Sequence, residues 1–484
     1  MSARRRRDRS IEAASGLALV STFIAIAALA PWLDRSLPEA MQPRRVFIAL
    51  LVAAGLAWLA WAWRLWRARG RGGALLWIAI VGLTMRGAMF AAPPILEDDY
   101  HRYLWDGAVT AAGVNPYATA PAEARRLAAD RGAASARSGP IDALADEGQA
   151  TLGRVNHPRF RSIYPPTAQA AFAVAHWIAP WSVGSMRLVL LAFDAATALL
   201  LFALLGRLAL PRSWTMVYWC NPLIVLQTLG AVHMDVVAVA FAAGAVFVAL
   251  DRRVVASAGL IALAAGAKVW PVMLLPLVLR FAVRSRGDLP AAAVGVVVAG
   301  AVGALMAWPI LLAGLGPDSG FEAYAGRWDN NAGLFALHRE AWRAVLPRFG
   351  VHPGHGDDLA RWITAAALAL GVVALAIRPI RSGRALVDRC LIAVAALFLL
   401  SPTQFPWYYI WLMPMLAIRP VAALWLYTPL LALYYLQGDW AGVVWIEHLP
   451  VLALLAYELS RWSRGRSATR SASPPGPPLG ASHV

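Results

Sequence analysis

The sequence predicts an all-α fold, a polytopic bundle of transmembrane helices with about 14 spans. Three observations predict it. First, 60% of the 484 residues are hydrophobic and only 15% are charged, so a soluble chain of this length would lack the polar surface to cover its core. Second, the apolar residues fall in runs of about 15 to 25, the length that crosses a bilayer. Third, short arginine-rich segments separate these runs.

The chain carries a formal net charge of +17, which would also suit a nucleic-acid-binding protein. The arginines, however, cluster beside the apolar runs, where they orient a membrane protein and contact anionic lipid. We therefore predict membrane lipids as partners and no nucleic acid. Cys220 and Cys390 both lie in apolar runs without disulfide-type or metal-binding spacing, which argues against a disulfide framework or a structural zinc site.

Polarity divides the chain into alternating membrane and loop segments. The first apolar run has no cleavage site and is predicted to be an uncleaved anchor, and the tail is rich in Ser, Pro and Gly, as disordered segments are. The predicted segments are a basic cytoplasmic N-terminus (1–15), three transmembrane helices (16–92), a large external loop (93–183), a second membrane block (184–314), a second external loop (315–359), a third membrane block (360–459) and a disordered cytoplasmic tail (460–484).

The individual spans follow from the lengths of the apolar runs. They are predicted at roughly 16–32, 46–66, 74–92, 184–206, 214–231, 235–250, 254–268, 270–283, 290–314, 360–377, 387–402, 406–418, 421–436 and 441–459.

Charge sets the predicted orientation of an integral membrane protein of the bacterial inner-membrane or plasma-membrane type. With the N-terminus in the cytoplasm, arginine clusters such as 64–71, 280–286 and 378–389 all fall inside, as the positive-inside rule requires. The hydrophilic segments 93–163 and 315–359 then fall outside, and the C-terminus falls inside.

Residues 165–180 resemble a membrane helix, but a full crossing here would move every later arginine cluster outside. We therefore predict a re-entrant or interfacial helix, bounded by prolines. The spans around Lys268 are also short, since about 14 residues rise roughly 21 Å against a hydrocarbon core of roughly 30 Å. Short and broken helices in membrane proteins often line a polar cavity.

The strongest candidate site is an acidic cluster that follows the third predicted span. Glu97, Asp98 and Asp99 are consecutive, and three adjacent carboxylates repel one another. Such a cluster can supply a general base or hold a divalent cation; the alternative is an acidic, solvated loop. Arg102 and Asp106 follow Asp99 at helical spacing, which would gather these charges on one helix face.

Two further candidates lie at predicted helix junctions on the outer side. His233 and Asp235 form a His-x-Asp pair beside the acidic cluster, although a histidine at a membrane often has only a structural role. Lys268 is the chain's one lysine, and a compact ammonium near the membrane suits a phosphate. The alternative is a lysine that extends to the interface.

Polar and aromatic residues complete the outer set. Asn330 and Asn331 open the second external loop with amides that could bind hydroxyl groups. Trp407 and Tyr408 lie in an outer turn, and Tyr164 precedes two prolines. These aromatic rings could face lipid or sugar, although an interfacial aromatic belt would explain Trp407 and Tyr408 equally well.

These motifs together resemble the bacterial polytopic mannosyltransferases of the GT-C class, and the eukaryotic glycosylphosphatidylinositol mannosyltransferase I. The matching stretches run from about residue 94 to 415; they are EDDYHRYLWDG, GVNPY, IYPP, HMD, KVWP, NNAGLF and the WYY turn. In the family the catalytic loop follows the first span, whereas here two extra spans precede it.

The resemblance implies an inverting hexosyltransferase that moves a sugar, mannose by resemblance, from a polyprenyl monophosphate to a hydroxyl of a glycan or glycolipid acceptor. It implies Asp99 or Asp98 as general base, supported by Glu97 and Asp106. Lys268, Arg102 and His233 would bind the donor phosphate. The residues implied to bind acceptor or sugar are Asp235, Tyr164, Asn330, Asn331, Trp407 and Tyr408.

No cofactor follows from the resemblance, because cations of the protein can handle a monophosphate leaving group. Binding of Mg²⁺ or Mn²⁺ by Asp98 and Asp99 stays open as an alternative. Two other functions also remain open. A transporter or flippase of lipid-linked saccharide would share the cavity and its cations, but it has no need for three adjacent carboxylates. A glycan ligase or polymerase would use arginines of the outer loops, for which Arg102, Arg327 and Arg339 are candidates. The oligomeric state does not follow from the sequence.

Overall fold

The computed structural model describes residues 3–70, 73–129 and 139–471. Within these ranges the chain forms α-helices joined by short 3-10 and irregular segments, and it forms no β-strand. The N-terminal helices are α1 (Ala3–Leu29), α2 (Arg44–Arg67) and α3 (Leu75–Ala91). The first large loop contributes α4 (Asp99–Ala111), α5 (Pro121–Ala129), α6 (Pro140–Glu147), α7 (Gln149–Leu152) and α8 (Pro166–Ile178).

The rest of the bundle consists of long helices interleaved with short ones. In chain order these are α9 (Val183–Arg207), α10 (Met216–Trp219), α11 (Pro222–Val225), α12 (Asp235–Leu250), α13 (Val254–Ala267), α14 (Leu275–Ala282), α15 (Leu289–Ala313), α16 (Gly320–Arg327), α17 (Leu334–Val345), α18 (His355–Ile377), α19 (Gly383–Leu400), α20 (Met413–Ile418), α21 (Ala422–Trp425), α22 (Tyr427–Leu430) and α23 (Val443–Ser471).

The all-α membrane architecture is confirmed, whereas the count of about 14 spans is not. Six helices among the described residues are long and apolar enough to cross a membrane, and five shorter apolar helices accompany them. The six are Ser10–Leu33, Arg44–Arg67, Val183–Arg207, Arg286–Ala313, His355–Ile377 and Val443–Trp462. The five are Leu75–Ala91, Asp235–Leu250, Val254–Ala267, Trp270–Ala282 and Ala422–Leu436.

The segment predicted as one span at 214–231 is broken into short pieces that end in a π-helical turn, Leu226–Gly230. Asn221 causes the break, because its side chain accepts hydrogen bonds from the backbone N–H groups of Leu223 and Ile224 and so begins a new helix at Pro222. Prolines also interrupt the segments predicted at 406–418 and 421–436. A continuous apolar run therefore does not guarantee a continuous helix.

The loops form two separate ends of the bundle, as their contacts show. At one end, here called the loop end, the Ile95 amide donates to the Gly230 carbonyl over 3.0 Å, and the Leu96 amide donates to the Leu33 carbonyl over 2.9 Å. At the other, arginine-rich end, Arg384 donates to the Leu208 carbonyl over 2.7 Å. The grouping matches the predicted threading, and the side of the membrane that each end faces stays a prediction.

Helix α8 covers most of residues 165–180, the segment predicted to be re-entrant or interfacial, and both of its ends lie at the loop end. It follows Tyr164, and just after it Trp181 stacks on Trp105 at 6.3 Å and donates to Glu147 over 3.0 Å. Its 13 residues rise roughly 20 Å, too little to cross a hydrocarbon core. Its re-entrant or interfacial position relative to the bilayer stays a prediction.

At the C-terminus, α23 continues to Ser471 and so enters the segment predicted as a disordered tail. The prolines at 474 and 475, which disfavour helix, come only after that point. Residues 472–484 lie outside the described residues.

One ion pair joins helices far apart in sequence inside the bundle. The Arg86 guanidinium donates to Asp194 over 2.6 Å, and the Tyr218 hydroxyl donates to the other carboxylate oxygen over 2.8 Å. Arg86 also donates to the Trp219 carbonyl and lies over that indole ring, 3.5 Å from its centroid. Both charged side chains are buried, so each depends on the other for stabilisation.

We predict that Asp194→Asn destabilises the protein by about 3–5 kcal/mol, because Arg86 then keeps a buried charge without a counter-ion. Thermal unfolding in detergent measures this. The matched control is Asp251→Asn, whose partly exposed pair with Arg207 should contribute at most about 1 kcal/mol. Equal losses in the two variants would contradict the assigned role of the Arg86–Asp194 pair.

Candidate active site

The acidic cluster is presented by a tightly held linker between α3 and α4. Pro93 and Pro94 end α3. The buried Arg187 guanidinium donates hydrogen bonds to the carbonyls of Phe90 and Ala92 over 3.1 and 2.5 Å. Leu96 then adopts a left-handed backbone conformation with φ of 56°, which is uncommon for a branched side chain. The linker therefore fixes where the following carboxylates lie.

Two side chains from other parts of the chain hold the acids. The Asn156 amide donates to both Asp98, over 2.8 Å, and Asp99, over 2.6 Å. Arg35, from the loop between α1 and α2, lies 3.2 Å from Asp98 and 4.0 Å from Glu97. Like charges are thus held together by one shared donor and one cation.

Glu97 is more deeply buried than Asp98 and Asp99. The Glu97 side chain is only 9% exposed, and burial, together with the nearby Asp99 charge, raises its pKa well above the ordinary value against the opposing effect of Arg35. Asp99 keeps 26% exposure, and burial still raises its pKa, opposed by the Asn156 hydrogen bond and increased by Asp98. A carboxylate with a raised pKa accepts a proton more readily.

Helix α4 begins at Asp99, so Asp99, Arg102 and Asp106 lie on one helix, as predicted. The side chains of Arg102 and Asp106, however, have different partners. Arg102 lines the cavity and donates to the carbonyls of Asn156 and His157. Asp106 instead accepts from Ser162 over 2.5 Å and from Gln169 over 3.3 Å in the interior. It supports the loop that carries Tyr164 rather than the acids themselves.

Lys268 and Asp235 form an ion pair, with 2.6 Å between Nζ and Oδ1. The indole N–H of Trp411 donates to the same oxygen over 2.6 Å, and the ammonium lies 4.0 Å from the centroid of the Tyr408 ring. Two residues predicted for separate tasks, phosphate binding and acceptor binding, are therefore partners of each other.

His233 lies behind the acids rather than in contact with them. Its ring stacks on Trp407 with centroids 3.8 Å apart, and its Nδ1 is 3.9 Å from the Asp99 carboxylate, beyond hydrogen-bond reach. Neither ring nitrogen has a hydrogen-bond partner among the described residues.

The segment after α15, predicted to be the second external loop, meets the turn that precedes Trp407. The backbone N–H of Asn330 donates to the Pro402 carbonyl over 3.0 Å, and the backbone N–H of Gln404 donates to the Asn330 carbonyl over 2.9 Å. Asn330 lines the cavity. Asn331 points the other way and is buried, with its side-chain amide donating to Glu447 over 2.8 Å.

These groups surround one cavity of about 580 Å³ at the loop end. Its charged or ionisable lining residues are Arg35, Glu97, Asp98, Asp99, Arg102, His157, Arg161, Asp235, Lys268 and Arg361. Its aromatic lining residues are Tyr103, Phe160, Tyr164, Trp270, Phe321, Tyr324, Trp328, Phe405, Trp407, Tyr408, Trp411 and Tyr434. The cavity thus combines acids, cations and ring faces, the groups that bind a sugar with an anionic substituent.

Sequence reasoning missed Arg35, Asn156, His157 and Arg361. Arg35 carried a signal, because an arginine in a predicted outer loop departs from the positive-inside rule. Asn156 and His157 form a polar turn before Pro158, which resembles any surface loop.

The candidate metal site gains no further ligand here. Across the described ranges, no group of three or more His, Cys, Asp or Glu side chains could hold a metal ion.

Two protein families match this chain over successive parts of its length. Residues 13–136 match the N-terminal domain of alpha-(1->6)-mannopyranosyltransferase, a region that includes Arg35 and the acidic cluster. Residues 163–402 match glycosyltransferase family 87 and include Lys268 and Asn330. Neither the curated proteins nor the solved structures provided a match.

We predict that Lys268 and Asp235 are energetically coupled by about 1–3 kcal/mol, because either alone would be a charge in a largely apolar wall. Thermal unfolding of Lys268→Gln, Asp235→Asn and the double variant gives the coupling. The double variant should be less destabilised than the sum of the single variants. Additive losses would show that the pair does not contribute as a unit.

Proposed function

We propose that this chain, a membrane glycosyltransferase of the GT-C class, transfers mannose from a polyprenyl monophosphate donor to a hydroxyl of a glycan or glycolipid on the outer face of the membrane. The matched mannopyranosyltransferase domain supports mannose as the sugar. The arginine distribution supports an external cavity with both termini in the cytoplasm.

The observation that carries the proposal is the Asn156 clamp on the two aspartates beside a cavity rich in cations and aromatic rings. Asp98 has its charge paired with Arg35, whereas the second oxygen of Asp99 has no hydrogen-bond donor within reach among the described residues. Asp99 also has the raised pKa that suits proton acceptance. We therefore assign Asp99 as the general base and Asp98 as its fixed neighbour.

In the proposed reaction the acceptor oxygen attacks the anomeric carbon from the face opposite the phosphate. The bond between that carbon and the phosphate oxygen breaks, and Asp99 receives the hydroxyl proton. The products are the inverted glycoside and polyprenyl phosphate. Because the leaving group is a phosphate anion, fixed cations that face it lower the barrier.

Arg102 and Arg361 are the cations best placed for that phosphate. Both line the cavity, and neither has a carboxylate within 4 Å in the described part of the chain. Lys268 remains a candidate, although its charge is already paired with Asp235. His233 would act from behind Trp407, with which its ring is stacked.

Tyr164, Trp407 and Tyr408 offer ring faces for the sugar or the first isoprene units. Asn330 offers an amide for sugar hydroxyl groups. Asn331 is turned away from the cavity and would act only through the position of Asn330, while Asp235 is held by Lys268 and Trp411.

A transfer assay tests the assignment of the base. We expect Asp99→Asn to reduce kcat by about 10²–10⁴-fold, the usual contribution of a general base, and Asp98→Asn to reduce it less. Purified protein with radiolabelled polyprenyl-phosphate mannose and candidate acceptors provides the measurement. Asp146→Asn, an exposed aspartate outside the cavity lining, is the matched control. Undiminished transfer by Asp99→Asn would overturn the assignment.

The pH dependence provides a second test, with two shifts of opposite sign. A general base works only when deprotonated, so activity falls as pH drops through the Asp99 pKa. Asp98→Asn removes a negative charge that raises this pKa, so the acidic limb of the pH–rate profile should move to lower pH. Asn156→Ala removes a hydrogen bond that lowers the pKa, so the limb should move to higher pH.

The profile of kcat/KM against pH reports these shifts for the free enzyme. The exposed control Asp146→Asn should leave the limb in place. Shifts of the same sign in Asp98→Asn and Asn156→Ala would be inconsistent with Asp99 as the titrating base.

A further inference from the structure

Two ionisable side chains lie inside the last helix, where the surrounding sequence is apolar. Glu447 and His448 of α23 are 0% and 1% exposed, and neither lines the cavity. Burying a carboxyl group and an imidazole in a membrane helix is costly, and such groups usually have a function. Neither residue belongs to one of the motifs or to the site residues predicted from the sequence.

Both side chains bind the same residue of the second external region. Asn331 donates from its side chain to Glu447 over 2.8 Å, and its carbonyl lies 3.0 Å from Nε2 of His448. The Tyr427 hydroxyl lies 2.9 Å from the other ring nitrogen and fixes the imidazole. Asn331 has a φ of 53°, a conformation that asparagine tolerates better than most residues.

The same network reaches the turn that forms one cavity wall. Asn331 also donates to the Gln404 carbonyl over 3.0 Å, and the Gln404 side chain accepts from the Gly333 amide over 2.8 Å. The neighbouring Asn330 exchanges backbone hydrogen bonds with Pro402 and Gln404. Asn330, Pro402 and Thr403 all line the cavity, so the network holds this wall from behind.

We infer that Glu447, with His448, is a positioning residue. It sets the geometry of the cavity wall formed by Asn330, Pro402 and Thr403 and thereby the productive binding of the sugar substrate. Its carboxyl group and the cavity lie on opposite sides of the Asn330–Asn331 backbone. An ordinary packing residue in this helix would need no hydrogen-bond acceptor. The kinetic part of the inference rests on the proposed function, whereas the structural part does not.

Amide hydrogen exchange tests the structural part without any substrate. The peptides to follow cover residues 328–335 and 401–405, and the variants are Glu447→Leu and Glu447→Gln. Leu removes the acceptor, so exchange should become at least tenfold faster in both peptides; Gln retains an acceptor oxygen and should stay within threefold of the wild type. Unchanged protection in Glu447→Leu would overturn the inference.

Glu458→Leu is the matched control, because Glu458 lies on the same helix and accepts from the Ala422 and Ala423 amides at the arginine-rich end. It should alter neither peptide, even if it lowers the thermal stability. Faster exchange of both peptides in this variant as well would show general loosening and would contradict a specific clamp.

Mannosyl transfer kinetics test the functional part on the same proteins. For Glu447→Leu we expect kcat/KM to fall at least tenfold, mainly through KM, with recovery in Glu447→Gln and little change in Glu458→Leu per folded molecule. Faster exchange together with unchanged kinetics would reduce Glu447 to a structural residue. An inactive wild type would count against the proposed donor, while the exchange result would still decide the clamp.

Discussion

Charged side chains inside this bundle have to find their partners within the protein, because a membrane-spanning bundle offers them little water. Asp194 neutralises Arg86 between α3 and α9, and Arg187 donates from its guanidinium to carbonyls at the end of α3. The same requirement pairs Lys268 with Asp235 at the edge of the cavity. These contacts fix how the helices are arranged, and the position of the cavity follows from that arrangement.

Two charged residues of the cavity keep side-chain atoms without a hydrogen-bond partner. Asp99 has one carboxylate oxygen without a donor, and Arg102 has a guanidinium nitrogen without a hydrogen-bond partner among the described residues. Both residues line a cavity that also has twelve aromatic side chains in its walls. Aromatic rings beside a charge lower the local dielectric, so that charge acts more strongly on a bound group than it would in water.

Local signals in the sequence were enough to predict the membrane bundle, the acidic cluster and Lys268, since each depends on composition or on adjacent residues. The partners of these groups were not predictable in the same way. Asn156 meets Asp99 across 57 residues and Glu447 meets Asn331 across 116, and no periodicity connects such positions. The span count is not confirmed for a related reason, because Asn221 redirects backbone hydrogen bonds inside an apolar run.

The contact between Asn331 and Glu447 also bears on how the protein is made. Chains are synthesised and inserted from the N-terminus, so the acidic cluster is in place long before α23 leaves the ribosome. One wall of the cavity can acquire its final hydrogen bonds only when residue 447 arrives, near the end of translation. A nascent chain would therefore hold the acidic cluster beside an unfinished cavity, and any binding that depends on this wall would appear only once the last helix had been inserted.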